Sequence, residues 1–330
     1  MTDIASIVLA HEKWFVEPSP YPTLFDSAGM TRTLQALVIS AAAIGIAFVV
    51  DRLWRARSAA PTPPDLTRSR EDLRQLFAWI PLILALHIAV PLVVSGVQRQ
   101  LFVPNLQLPF TFLGGLMGLV EIAIALGFFY GILTRVAAAA LMLLFPICLV
   151  SFGLVETLEH LQLLGIAAFL MIFGRGPYSL DAIFGVPLRT PREWIPRAVP
   201  ILRVLTGVAI AWLGFTEKLW NVPLGVAFLE RYPFNFMPAL GFAGFSDADF
   251  VVAAGFVEVA VGAVIASGLA TRPVILLAWV PFNLTLPFMG WVELVGHLPM
   301  YGIMVVLLLW GSGRDVSPYL KEMEKTARSS

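Results

Sequence analysis

The strongest constraint on this chain is the recurrence of apolar runs as long as a bilayer is thick. About 20 predominantly apolar residues make one membrane-crossing helix. Nine segments are candidates: roughly 33–51, 75–97, 109–133, 136–154, 158–174, 198–220, 248–270, 273–291 and 296–311. Short turns such as Leu133-Thr134-Arg135 and Ala270-Thr271-Arg272-Pro273 separate neighbours and read as helical hairpins. Period-2 alternation is absent, and helices satisfy their own backbone in lipid, so the expectation is an all-α integral membrane protein. Charge scarcity agrees: Asp, Glu, Lys and Arg make up 13% of the chain, against about 25% in soluble domains. The balance of 22 basic and 22 acidic residues gives no footprint for nucleic acid, and the single Cys148 cannot form an intrachain disulfide.

Basic residues set the expected orientation. The first ten residues carry no Lys or Arg, and polar residues from His11 to Lys13 break the apolar stretch, so it does not read as a secretory signal. With the N-terminus outside, 16 of the 22 Lys and Arg fall in inner loops and five outside, and Arg203 lies within a span. This is the asymmetry of an inner-membrane protein with a cytoplasmic C-terminus. The expected organisation is an outer tail over 1–32, an extra helix over 33–51, a Pro- and Arg-rich cytoplasmic linker over 52–74, a four-helix unit over 75–182, a second over 197–314, and a cytoplasmic tail over 315–330.

The two units rest on an internal repeat. Residues 121–176 align without a gap to 258–313 at a constant offset of 137, with 17 of 56 positions identical. The shared residues include Glu121/Glu258, Gly131/Gly268, Thr134/Thr271, Arg135/Arg272, Glu156/Glu293, His160/His297, Gly174/Gly311 and Gly176/Gly313. Shared Glu, Arg and His in a chain so poor in charge are hard to obtain by chance. Upstream, residues 96–102 resemble 214–220 at an offset of 118, so the second copy has a longer outer loop over 221–247. Four spans per copy put both copies in the same orientation, related by a pseudo-twofold axis along the membrane normal.

Within the second copy stand Leu202-Arg203-Val204-Leu205-Thr206-Gly207, Gly214-Phe215-Thr216-Glu217-Lys218-Leu219, Glu258, Gly268-Leu269-Ala270-Thr271-Arg272 and His297. The first copy closes on Gly174-Arg175-Gly176-Pro177-Tyr178-Ser179-Leu180-Asp181. Together these motifs resemble the DoxX-like family of four-helix membrane proteins, over about 70–182 and 197–314. The resemblance implies association with membrane redox proteins, including a thiosulfate:quinone oxidoreductase. Ala85 stands where Arg203 does, and Gln100 where Lys218 does, so chemistry needing that Arg and Lys belongs to the second copy.

Ionisable residues inside spans are the candidate site. Glu121 and Glu258 lie mid-span, where a carboxylate costs on the order of 3 kcal/mol. Each must face the bundle, as a proton-transfer or ligand-contacting group, or as an interhelical tie such as a bond from Glu258 to Arg203. Glu156/His160 and Glu293/His297 are spaced i, i+4, which places each pair on one helix face. A carboxylate raises the proton affinity of a neighbouring imidazole and suits a proton relay. The bland alternative is a helix-capping carboxylate with a headgroup-level histidine. Lys218 at the outer end of its span could hold an anionic group or anchor at the interface, and Arg203 could snorkel inward. Glu258, Glu293 and His297 are therefore the candidate catalytic residues, and Lys218, Arg203, Glu121, Glu156 and His160 the candidate binding residues. His160 and His297 could ligate a haem or, with the glutamates, a metal, but no Cys-x-x-Cys-His or Glu-x-x-His motif supports it. His87 reads as a hydrogen-bonded core residue, and Trp54, Trp79, Trp220, Trp291 and Trp310 as an aromatic belt.

No Walker A, dinucleotide-binding or hydrolase motif is present, which argues against a catalytic centre acting alone. The first expectation is a redox-associated membrane subunit that meets lipid, quinone or an electron-transfer subunit at the outer face. The alternatives are a small-solute or ion transporter and a membrane scaffold without a site of its own.

Overall fold

A computed structural model describes Lys13, Val16 and residues 30–58, 69–176, 178–186 and 193–313. The tail around His11, most of the 52–74 linker's centre and the 315–330 tail lie outside the described residues. Among the described residues the fold is all-helical, with one isolated bridge between Gln100 and Gln107. The helices are α1 (Met30–Ser58), α2 (Ser69–Gln98), α3 (Phe112–Tyr130), α4 (Thr134–Phe152), α5 (Leu154–Glu159), α6 (Leu161–Phe173), α7 (Leu180–Ile183), α8 (Ile195–Leu213, continued by a π-helical turn Gly214–Leu219), α9 (Val222–Arg231), α10 (Asp247–Ser267), α11 (Thr271–Leu284) and α12 (Leu286–Trp310).

Among the described residues, six helical stretches are long and apolar enough to cross a membrane: Trp79–Gln98, Phe112–Tyr130, Thr134–Phe152, Ile195–Leu219, Asp247–Ser267 and Glu293–Trp310. The other three expected segments fall on α1, on the 13-residue α6 and on the 14-residue α11. At 1.5 Å per residue, the last two are about 20 Å long, shorter than the hydrocarbon core. α11 stops at Leu284, while breaks precede α6 and interrupt α12. Gly153 (φ 90°) separates α4 from α5, and His160 separates α5 from α6; Gly290 (φ 76°) kinks α12 near its start.

Local chemistry explains where the long helices begin and end. Thr111 accepts the Gly114 amide at the start of α3, and Ser246 and Asp249 form a reciprocal capping box on α10. Gly131 and Gly268 take left-handed conformations that end α3 and α10. These backbone features recur at the sequence offset. Gly131/Gly268, Gly153/Gly290, Gly174/Gly311 and Gly176/Gly313 all have positive φ, as do Leu133 (49°) and Ala270 (40°) in the two hairpin turns. Arg135 donates to Ile172 O, and Arg272 to Leu308 O and Leu309 O, the latter again 137 residues on.

Packing is reciprocal between the halves. α2 packs on α3 and α8 on α10, while α6 packs on α8 and α12 on α2. Gly165 of α6 lies against Leu202, and Gly302 of α12 against Leu84, so corresponding small residues meet corresponding leucines. The buried core runs through both halves, from Leu84, Ile88 and Phe128 to Phe169, Leu202, Ile303 and Leu307. Trp310 belongs to it: only 4% exposed, its ring lies 5.5 Å from Phe169 and 5.2 Å from Phe173, so it is a core residue and not part of a belt.

The hairpin ends show where the halves diverge. Asp181, at the start of α7, accepts the Leu133 and Thr134 amides at 2.7 and 2.9 Å. The equivalent Ala270 amide is instead accepted by Asp51 of α1, at 3.0 Å. Arg175 donates to Tyr130 O beside Gly131, and Arg203 to Ile265 O and Ala266 O beside Gly268. Thus α1 supplies to the second half the cap that the first half carries in its own closing motif. Removing a charge-assisted acceptor costs about 1–3 kcal/mol. Asp51→Ala should therefore destabilise the protein by about this amount, and Asp51→Asn by less because its carbonyl still accepts. Unfolding of purified variants in micelles measures the difference; equal losses for both variants count against the cap.

Candidate functional site

The ionisable residues gather into three groups. The first is inside the first half. Glu121 is fully buried, and its Oε1 accepts both the Ser95 hydroxyl and the Phe102 amide at 2.8 Å. The Phe102 amide reaches it because the loop over 99–111 turns back into the bundle, burying Leu101, Phe102, Leu106 and Leu108. Phe102 also lies against Phe145 (5.3 Å) and meets the buried His160 ring edge-on at 6.4 Å. The longer 221–247 segment is more open. It forms α9 and an aromatic ladder of Phe228, Tyr232 and Phe234 that ends on Phe288, while Phe236, Leu240 and Phe242 are exposed.

A second group lies in the second half. Glu293 Oε1 stands 3.5 Å from His297 Nε2, one helical turn apart, and accepts the Thr285 hydroxyl at 2.8 Å. The His297 ring lies 4.6 Å from Phe282 and 6.1 Å, edge-on, from Tyr301, whose hydroxyl donates to Phe282 O. The i, i+4 geometry expected for this pair is present because α12 is helical past Gly290. In the first half the same spacing behaves differently. The break at His160 ends α5 at Glu159, and Glu156 turns to other partners.

Those partners define the third group, between the two halves. Lys13 Nζ donates to Glu159 Oε1 at 2.7 Å and to Glu156 Oε1 at 3.0 Å. Asn105 donates to the other Glu156 oxygen at 2.9 Å, and Thr216 donates to Glu159 Oε1 at 2.7 Å. Thr216 belongs to the π-helical turn that ends α8, as do Glu217 and Lys218. Single π turns widen a helix and are frequent at functional sites. Glu217 is 1% exposed and interacts electrostatically with Lys218, Lys13, Glu258 and Glu156. Lys218 pairs with Glu258 at 3.2 Å. Burial opposes the Lys13 charge, but Glu159, Glu217 and Glu156 outweigh it and hold the ammonium above its ordinary range.

The individual expectations sort accordingly. Glu121 is in the bundle interior as expected, whereas the Glu258 side chain is 38% exposed and pairs with Lys218. Arg203 is 7% exposed, and its guanidinium donates to the last carbonyls of α10. Gly268, whose side-chain space that guanidinium fills, makes room for it. His87 binds Ile83 O of its own helix through Nδ1 at 2.7 Å, a local tie. Among the described residues, no group of three or more His, Cys, Asp and Glu is arranged to hold a metal ion.

Glu159, Glu217, Thr216 and Lys13 were not singled out from sequence. Glu159 corresponds to Gly296 and Glu217 to Arg99, so neither recurs in the repeat that guided the choice. The available signal was charge in an apolar setting: Glu217 and Lys218 are neighbours, as are Glu159 and His160.

The chain matches no protein-family model, no curated protein and no solved structure.

Proposed function

We propose that this chain is an inner-membrane, DoxX-like protein of two parallel four-helix units plus α1, with nine membrane segments and its N-terminus outside. In this reading it serves as a redox-associated subunit that meets a quinol at the outer side of the second unit. The matching positive-φ positions and Arg-to-carbonyl bonds at the 137-residue offset support the repeat layout. One observation carries the function: Glu293 and His297 at 3.5 Å, with Phe282 and Tyr301 beside the imidazole, in helices otherwise dominated by apolar side chains. Aromatic faces suit a flat ring. An imidazole held by a carboxylate suits removal of a hydroxyl proton. A quinol gives up two protons and two electrons. His297 takes the two protons in turn and passes each to the outer aqueous side, Glu293 stabilises the imidazolium formed each time, and an electron-accepting redox protein takes the two electrons.

The test is extraction of quinone from protein purified in native lipid, with quinol-dependent electron transfer measured in membranes carrying variants. Loss of a general base costs roughly 10²-fold or more. His297→Ala and Glu293→Gln should each lose that much while the protein still assembles. Absence of both quinone and a redox partner, with electron transfer unchanged in His297→Ala, would overturn the reading.

A second reading, transport of a small solute or ion, is favoured by a different observation. The Lys13, Glu156, Glu159 and Glu217 group lies between the halves, and parallel-repeat transporters place their sites at the repeat interface. Flux in proteoliposomes that is abolished in Glu217→Gln supports it; no flux above empty vesicles for simple cations and anions removes it.

A further inference from the structure

The acidic group between the halves already holds a cation, and that cation comes from far away in the chain. Lys13 lies 143 residues before Glu156 and 146 before Glu159, yet its side chain is only 11% exposed. The surrounding groups come from separate elements: the acceptors Glu156 and Glu159 from α5, Thr216, which donates to Glu159, and Glu217 from the π turn, and Asn105, which donates to Glu156, from the 99–111 loop. Two of the three N–H donors of the ammonium are directed at carboxylate oxygens. The charges facing this point are Glu156, Glu159, Glu217 and, further along, the Lys218–Glu258 pair. Without Lys13, three carboxyl groups would face one another and two of them would lose the ammonium they share. Like charges at such distances cannot all stay ionised and unpaired in a poorly solvated place. The cage therefore requires a cation or protons.

We propose that Glu156, Glu159, Thr216 and Asn105 form a binding site for a primary ammonium ion, which the chain fills with its own Lys13, so that the N-terminal segment competes with a free amine for the junction of the two halves. The contacts are N–H···O bonds of 2.7 and 3.0 Å, ordinary for an ammonium on carboxylates. A divalent metal is not the fit, since among the described residues no metal-holding group is found. The ammonium stays charged over the workable pH range, because the surrounding carboxylates raise its proton affinity. On the lysine side the pairing persists below the ordinary lysine value and is lost only in strong alkali; on the acid side, protonation of the carboxylates also releases Lys13. Competition by a cation is therefore measured at one fixed pH.

Chemical rescue tests this. Full-length Lys13→Ala in lipid nanodiscs should melt roughly 5 °C or more below the parent. Methylammonium chloride should recover more than half of that loss, and tetramethylammonium at equal ionic strength, which has no N–H, none. No loss on substitution, or equal recovery by both salts, overturns the site. If Lys13→Ala does not fold, the parent protein answers the same question through acetylation of Lys13, read by mass spectrometry. A peptide spanning residues 8–18 in the same tube cancels reagent consumed by the amine. Lys13 should react at least about tenfold more slowly than in the peptide, and methylammonium should raise the ratio. A ratio near one, or one that methylammonium leaves flat, overturns the proposal.

Discussion

Glu121→Ala is expected to destabilise the protein by about 3–5 kcal/mol, while Glu121→Gln stays within about 1 kcal/mol of the parent. The asymmetry follows from the hydrogen bonds. Ser95 Oγ and the Phe102 amide both donate to the same oxygen, Oε1, so an amide carbonyl placed there still accepts both. Alanine leaves two buried donors unpaired, opens a cavity at a fully buried position, and releases the 99–111 loop whose Phe102 is anchored there. Unfolding of purified protein in micelles gives the stability difference. The same pair of variants separates structure from chemistry. A Glu121→Gln protein that folds normally but loses electron transfer shows that the carboxyl carries protons; full activity leaves Glu121 as the tie that closes the first half.

The second large effect is at the crossing of α8 and α10. A Cβ on Gly262 would lie 2.5 Å from both Ala211 N and Gly207 O, and the facing Gly207 is equally close to Gly262 O and Ala266 N. Every one of those obstacles is backbone, so relief requires the helices to separate. Helices in lipid associate largely through such close packing of small residues. Gly262→Ala should cost about 3 kcal/mol, and it should disturb the Lys218–Glu258 pair that spans the same two elements. Gly115→Ala is the control. Nothing lies within 4 Å of a Cβ there, so the change is neutral or, through helix propensity, stabilising by up to about 1 kcal/mol. Similar losses at both positions would show that the α8–α10 crossing is looser than described.

Some of the site was legible because its cause is local. Glu293 and His297 are four residues apart in one helix, so their meeting follows from helical periodicity once the segment is helical. Glu121 was legible for another local reason: a carboxylate in a long apolar run has to be buried and bonded. For Arg203 the same logic left the partner open. Its position in an apolar helix suggested a carboxylate partner or a path to the interface, and in the fold its guanidinium donates to the last carbonyls of α10. Glu156 and His160 illustrate the limit most directly. Their spacing equals that of Glu293 and His297, yet the helix breaks at His160, and Lys13 and Asn105 take the carboxylate.

By itself the sequence determined the helical class, the apolar runs among which the six long apolar helices fall, the hairpin turns, and the recurrence at 137 residues. Each depends on composition, periodicity or backbone conformation within a stretch of some 20 residues. Tertiary structure alone decided that Asp51 completes a turn 219 residues away, that Arg175 and Arg203 occupy comparable places from different sequence positions, and that Lys13 sits among Glu156, Glu159 and Glu217. The physical reason is that a buried polar group needs a partner but does not specify where in the chain that partner lies. Any donor or acceptor brought within reach by packing satisfies it, and packing is set by surfaces that no single segment contains.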